Sequence, residues 1–234
     1  MLSRLVLLPG MHGTGELFSD FTRMIPEQKH AQALHYPTDI SLSYSQLLGL
    51  VQSFVPESDT YVLLAESFSA PLAIQFAAAN PPNLKGLILC AGFATSPIRG
   101  WRKSLASLIA PFAFRLPLPK IAVSHLLVGP DAPDSLNEAV RAAIRSVNPT
   151  VLMSRLQQVL AVDTRLALSK VSVPILFLQP QQDRLVGPTC LKEIVAIKPQ
   201  IEVVQIQSPH LILQREPEQS AQIVTKFIDS LPQS

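Results

Sequence analysis

The run from Tyr61 to Ala79 constrains this chain more than any other. Tyr61-Val62-Leu63-Leu64 is apolar and strand-like, and Pro71-Leu72-Ala73-Ile74-Gln75-Phe76-Ala77-Ala78-Ala79 reads as a helix. Between them lies Ala65-Glu66-Ser67-Phe68-Ser69, a serine with a small residue two positions to either side. A strand that turns straight into a helix needs small residues there, because larger side chains would strike the neighbouring backbone. Such a turn is tight and strained, and it lifts the Ser67 hydroxyl off the end of the sheet as a candidate nucleophile.

The same alternation recurs along the chain. Leu5 to Leu8 is an apolar run closed by Pro9-Gly10, consistent with a strand buried on both faces. Ala33 to Tyr36 is a weaker strand, Leu42 to Phe54 has helical spacing, and Leu84 to Cys90 is a further strand. Asn80-Pro81-Pro82-Asn83 ends the helix before that strand. Val173 to Leu178 and Ile201 to Ile206 read as strands, with helices at Pro188 to Ile197 and Glu218 to Leu231. The expected fold class is α/β, a doubly wound, mostly parallel sheet with helices on both faces. Residues 1–94 and 166–234 are expected to form this core. Residues 95–165 are expected to be a helical cap inserted into it: prolines at 97, 111, 117, 119, 130, 133 and 149 divide the stretch, and no strand is convincing. Within it Ser135 followed by Glu138 predicts a helix start with Ser135 as the cap.

Composition narrows the class. The chain has 234 residues, enough for one domain with an insertion, and its hydrophobic share of 47% with 15% charged residues argues against disorder. A net charge of +2 gives no general attraction to nucleic acid. Cys90 and Cys190, far apart in sequence, form neither a zinc pattern nor a disulfide framework and are expected to be buried free thiols. The N-terminal stretch Met1 to Pro9 is too short for a signal-peptide core, and the longest uncharged run, from Ser67 to Leu84, is broken by prolines and asparagines. A soluble, cytoplasmic protein is the expectation.

A serine hydroxyl needs a base to take its proton and a third group to orient that base. Of five histidines, His30 and His35 lie in an early connection and His125 lies in the insertion. His12 follows the first strand, and His210 follows the last strand in Gln207-Ser208-Pro209-His210. Ligands of doubly wound sheets bind beyond the carboxyl ends of strands. Asp183, in Gln179-Pro180-Gln181-Gln182-Asp183, occupies such an end; its rival Asp163 sits in a helical context at the end of the insertion. The order Ser67, Asp183, His210 is that of one particular class of triad. The oxyanion that acyl transfer creates needs backbone donors, placed at the N–H of Phe68 and at the N–H of Met11 in the glycine-rich loop Pro9-Gly10-Met11-His12-Gly13-Thr14-Gly15. That loop lacks the Gly-Lys-Ser/Thr ending of a phosphate-binding loop.

On these residues the chain resembles the α/β-hydrolases over nearly its whole length, without the first two antiparallel strands of that layout. Its size and cap position are similar to those of small carboxylesterases, the group that includes pimeloyl-acyl-carrier-protein methyl ester esterases. It departs from the commonest forms in reading Ala-x-Ser-x-Ser where glycines are usual, and Pro9-Gly10 where many relatives have His-Gly. The resemblance implies a cofactor-independent, metal-free serine carboxylesterase acting on esters of short to medium chain length through an acyl-enzyme on Ser67. Thioesterases, carbon–carbon bond hydrolases and cofactor-free perhydrolases use the same triad, and a non-catalytic small-molecule-binding relative is the alternative from another class.

Three residues are candidates for substrate contact. His12 either lines the mouth of the site or is a polar loop residue. Trp101 and Phe112 belong to an apolar stretch that forms the core of the cap, a wall for an acyl chain, or both. Glu66, beside the candidate nucleophile, is expected to pair with neighbouring loops. The stretch Thr95 to Arg165 carries nine basic residues against four acidic ones. That balance reads either as solvated helix faces or as a surface steering an acidic acyl-carrier protein.

Overall fold

The computed structural model of the protein describes residues 4–98, 100 and 120–232. Six strands form one sheet: β1 (Arg4–Leu8), β2 (Gln32–Ala33), β3 (Tyr61–Glu66), β4 (Leu84–Cys90), β5 (Ile175–Pro180) and β6 (Glu202–Ile206). Their order is β2-β1-β3-β4-β5-β6 and every pairing is parallel. Parallel neighbours require a crossover between consecutive strands, which is why each apolar run in the sequence is followed by a helix.

The strands are apolar on both faces because both are covered. Alternate residues divide between two cores, as a period of two requires. Val6, Leu8, Leu63, Ala65, Leu87, Leu89 and Phe177 face one way, against the helices Tyr44–Phe54, Ala70–Ala78 and Pro188–Ile197. Leu5, Leu7, Val62, Leu64, Ile88, Leu176 and Leu178 face the other, against Phe21 and the helix Pro217–Ser230. The fold class is therefore the expected doubly wound one.

Two local elements differ from the sequence expectation. The strand expected over Ala33 to Tyr36 contracts to Gln32–Ala33, and Tyr36 lies in the following loop. The helix Asp134–Arg145 takes Pro133, not Ser135, as its N-cap and has no side-chain cap hydrogen bond. Instead, a complete capping box stands at Ser43 and Gln46, each side chain bonding the other's backbone N–H.

Between β4 and β5 the described elements are helical: Lys120–Val123, a π-helical turn at Ser124–Val128, Asp134–Arg145, Pro149–Ala161 and Arg165–Lys170. An isolated bridge, Thr95 to Asp163, joins the two ends of this excursion. Val123, Val128, Val140 and Ala143 pack with Leu17 and Leu211, so these helices sit over the carboxyl ends of β1 and β6.

Candidate active site

β3 ends at Glu66, and Ser67 adopts φ +49°, a left-handed conformation unusual for a residue with a Cβ. A single 3-10 turn, Ser67–Ser69, leads into the helix Ala70–Ala78, with Pro71 in its first turn where no helical N–H partner is lost. Ala65 and Ser69 are fully buried, in keeping with the need for small residues there. Ser69 does more than stay small. Its hydroxyl donates to the Pro9 carbonyl and accepts from Tyr36 Oη at 2.7 Å, tying the turn to the loop after β1.

The loops after β5 and β6 bring Asp183 and His210 to the same end of the sheet. Backbone bonds from Gln181 N–H to the Ile206 carbonyl (2.9 Å) and from Gln182 N–H to the Ser208 carbonyl (3.1 Å) join these loops. His210 Nδ1 lies 2.7 Å from Asp183 Oδ2, and His210 Nε2 lies 2.9 Å from Ser67 Oγ. The other Asp183 oxygen accepts from Leu185 N–H at 2.8 Å and Val186 N–H at 2.9 Å, so the carboxylate is fixed by its own loop. A carboxylate is an acceptor, hence Nδ1 carries the ring hydrogen and Nε2 is left to accept from the serine hydroxyl. Burial on its own would lower the imidazole's pKa. The charge and hydrogen bond of Asp183, with the charge of Glu66, outweigh it and leave His210 raised above the usual value.

The two residues named as amide donors are each held through their carbonyls. Tyr44 Oη donates to the Phe68 carbonyl at 2.8 Å, and its ring stacks on Phe68 with centroids 5.0 Å apart. Arg155 donates through one nitrogen to the Met11 carbonyl and through another to the Pro37 carbonyl, both at 2.8 Å, and lies over the Tyr36 ring. The loop itself closes by Gly13 N–H to the Gly10 carbonyl at 2.9 Å. Gly13 has φ +75°, and a Cβ there would meet Arg155 at 2.4 Å.

The remaining candidates are placed as follows. His12 is buried, with Nδ1 accepting from Thr14 N–H at 3.2 Å. Trp101 and Phe112 lie outside the described residues. Asp163, the rival acid, pairs with Arg165 at the end of the excursion. Glu66 Oε2 stands 4.0 Å from His12 Nε2 in the loop after β1, a pairing with a neighbouring loop as expected, although neither of its oxygens has a hydrogen-bond partner among the described residues. Tyr36, Tyr44, Ser69 and Arg155 were not expected to hold the site. For Arg155 a signal existed: Val151, Arg155 and Val159 recur at helical spacing, which puts the arginine on the buried face of Pro149–Ala161.

No model of a known protein family matches the chain, and no curated protein matches it in sequence. Solved structures do resemble it. A hydrolase from Oleispira antarctica superposes with a TM-score of 0.84 at 12% identity, over 97% of this chain and 91% of that one. A bromoperoxidase from Bacillus anthracis gives 0.85 at 11% identity, over 98% and 93%. An alpha/beta hydrolase enzyme from a Medee basin deep-sea metagenome library gives 0.79 at 18% identity, over 100% and 91%. The chain has the α/β-hydrolase fold.

Proposed function

We propose that the protein is a serine hydrolase of carboxylic esters with short to medium acyl or alkyl groups. The observation that carries this reading is the continuous relay Asp183–His210–Ser67, with contacts of 2.7 and 2.9 Å and the nucleophile on a strained strand-to-helix turn. In the first half-reaction Ser67 Oγ attacks the ester carbonyl while His210 Nε2 takes its proton, and Asp183 holds the resulting imidazolium. The negative charge on the former carbonyl oxygen is received by the N–H groups of Phe68 and Met11. The alcohol leaves with the proton returned by His210, giving an acyl-enzyme. Water, deprotonated by the same imidazole, then releases the acid and restores Ser67.

The test is hydrolysis of p-nitrophenyl esters of graded chain length by the wild type and Ser67→Ala. Activity in the wild type that falls to the buffer rate in the variant supports the mechanism; a variant that keeps its rate refutes it. Esters, thioesters and lactones in one panel separate the chemistries that share this relay. The bromoperoxidase neighbour favours one second reading, in which hydrogen peroxide replaces water as acceptor of the acyl group. Comparing peracid and acid yields from one ester in peroxide distinguishes the two.

An acidic acyl-carrier protein as partner is a further part of the proposal. Within the described residues, Arg141 and Arg145 are paired with Glu138, Arg165 with Asp163, and Arg155 is buried against carbonyls. The salt dependence of turnover reads these together with the other basic residues of the stretch, Arg99, Arg102, Lys103, Arg115 and Lys120.

A further inference from the structure

Glu66 is the last residue of β3 and directly precedes Ser67. Its side chain is 0% exposed, and neither carboxylate oxygen meets a hydrogen-bond donor among the described residues. A carboxyl group held this way costs stability unless a partner nearby offsets its burial, so it calls for an explanation.

Among the described residues, the group paired with it is His12 Nε2, 4.0 Å from Glu66 Oε2 and likewise buried without a hydrogen-bond partner. The orientation of that ring is set from its other side. Thr14 N–H can only donate to His12 Nδ1, and the Thr14 hydroxyl, 3.1 Å from the same nitrogen, donates as well, so the hydrogen of the neutral ring resides on Nε2, on the side of the carboxylate. Gly10 keeps the space between them clear. A Cβ at Gly10 would stand 3.3 Å from Glu66 Oε2 and 3.7 Å from His12 Nε2.

The position of the pair gives it a use. His12 follows Met11, and Glu66 stands two residues before Phe68, so the pair spans the two pieces of backbone that carry the proposed oxyanion donors. Among the described residues, the ionisable groups that bear on Glu66 are His12 from the loop after β1, Cys90 beside it in the β4 register, and His210, which bonds the adjacent Ser67 and whose charged form the carboxylate favours. His210 in turn faces Asp183 and the Ser67 hydroxyl. Burial, then the charges of Glu66 and Asp183, pushes the Cys90 thiol well up, so the thiol stays neutral and does not compensate the carboxylate.

We propose that Glu66 is a positioning residue of the acyl-transfer site: through its carboxylate–imidazole pair with His12 it sets the loop of residues 9–15 against the Ser67 turn. This rests on the reading of Ser67 as the nucleophile. Glutamate at this position then serves a purpose that glutamine, equal in shape, does not.

Glu66→Gln isolates the charge, and two measurements read it. The first needs no turnover. In a Ser67→Ala background, nuclear magnetic resonance of the imidazole nitrogens follows His12 and His210 with and without Glu66→Gln. The expected result is a shift of the His12 Nε2 resonance and a lower titration midpoint for His210. Both left unmoved would overturn the proposal. The second uses the active protein: Glu66→Gln lowers kcat about 10-fold with KM unchanged, and weakens binding of a trifluoromethyl ketone transition-state mimic by a similar factor. His12→Asn costs about as much, and the double variant little more than either. A loss of melting temperature with unchanged kcat and inhibitor binding would overturn it. If Glu66→Gln does not fold, His12→Asn carries the second measurement from the other side of the pair: unchanged kcat and inhibitor binding in that variant would overturn the proposal. A wild type without acyl-transfer activity refutes the functional reading alone, because the resonance measurement still decides the Glu66–His12 pair.

Discussion

Ser67 holds a left-handed backbone conformation that costs on the order of 1–3 kcal/mol outside glycine, and the surrounding contacts must supply it. Ser69, Tyr36 and Tyr44 do so, by bonding the turn to the loop after β1 and by fixing the Phe68 carbonyl. At the same scale, the His210 shift fixes a pH dependence. Its proton is held more tightly in the folded protein, so the acid limb of kcat/KM is expected above the ordinary imidazole range. The sign for stability follows from linkage. His210's contribution is complete below the ordinary imidazole value and is lost as pH rises through its own raised value. Asp183→Asn removes the charge and leaves at most a weaker, neutral hydrogen bond, so the acid limb moves down while kcat falls about 10³- to 10⁴-fold. A pH–rate profile of that variant with an unmoved limb contradicts the assignment. Ser67, Asp183 and His210 were legible in the sequence because each follows a strand-like run, and their order narrows the choice. The role of Ser69 was not legible, since its partner Tyr36 is 33 residues away and sits in a loop that the apolar pattern read as strand.

Among the elements, the helix Pro149–Ala161 links the excursion between β4 and β5 to the loop of residues 9–15. Arg155 reaches from it to the Met11 and Pro37 carbonyls, and Asn148 N–H bonds the Thr38 carbonyl at 2.8 Å. On the opposite side, Leu211 N–H, next to His210, bonds the Leu127 carbonyl at 3.0 Å. The excursion therefore grips both the proposed oxyanion loop and the histidine loop. Gly13→Ala is expected to lose about 2–4 kcal/mol of stability, because the new Cβ meets both a positive φ and the Arg155 guanidinium at 2.4 Å. In an Arg155→Ala background the guanidinium is gone, so the added cost of Gly13→Ala should shrink to that of φ alone. Denaturant unfolding of the four proteins measures this; strict additivity contradicts the clamp. Of the described helices here, the start near Ser135 was legible in the sequence, but the attachments of Pro149–Ala161 were not. The charge count set Arg155 among the basic residues of a surface, although its spacing with Val151 and Val159 marks a buried face. The spacing of Ser135 to Glu138 fits a capping box, but the helix begins at Asp134 and its cap is Pro133, two residues before Ser135.

For the whole molecule, strand-to-helix alternation was enough to give the doubly wound sheet, because two-sided burial leaves an uninterrupted apolar run at each strand. No helix among the described residues is long and apolar enough to cross a membrane. Electrostatics at this scale bear on the proposed carrier partner. Turnover of a carrier-bound acyl ester should fall several-fold between low and physiological salt, while hydrolysis of a small neutral ester stays level. Equal salt dependence for both removes the carrier from the proposal. The central claim, that Ser67 is the nucleophile of an acyl-transfer relay, is tested most directly by a fluorophosphonate probe and peptide mapping. One covalent adduct on Ser67, lost in Ser67→Ala and strongly slowed in His210→Ala, is the predicted result. A folded wild type that takes up no probe, or takes it up elsewhere, would contradict it.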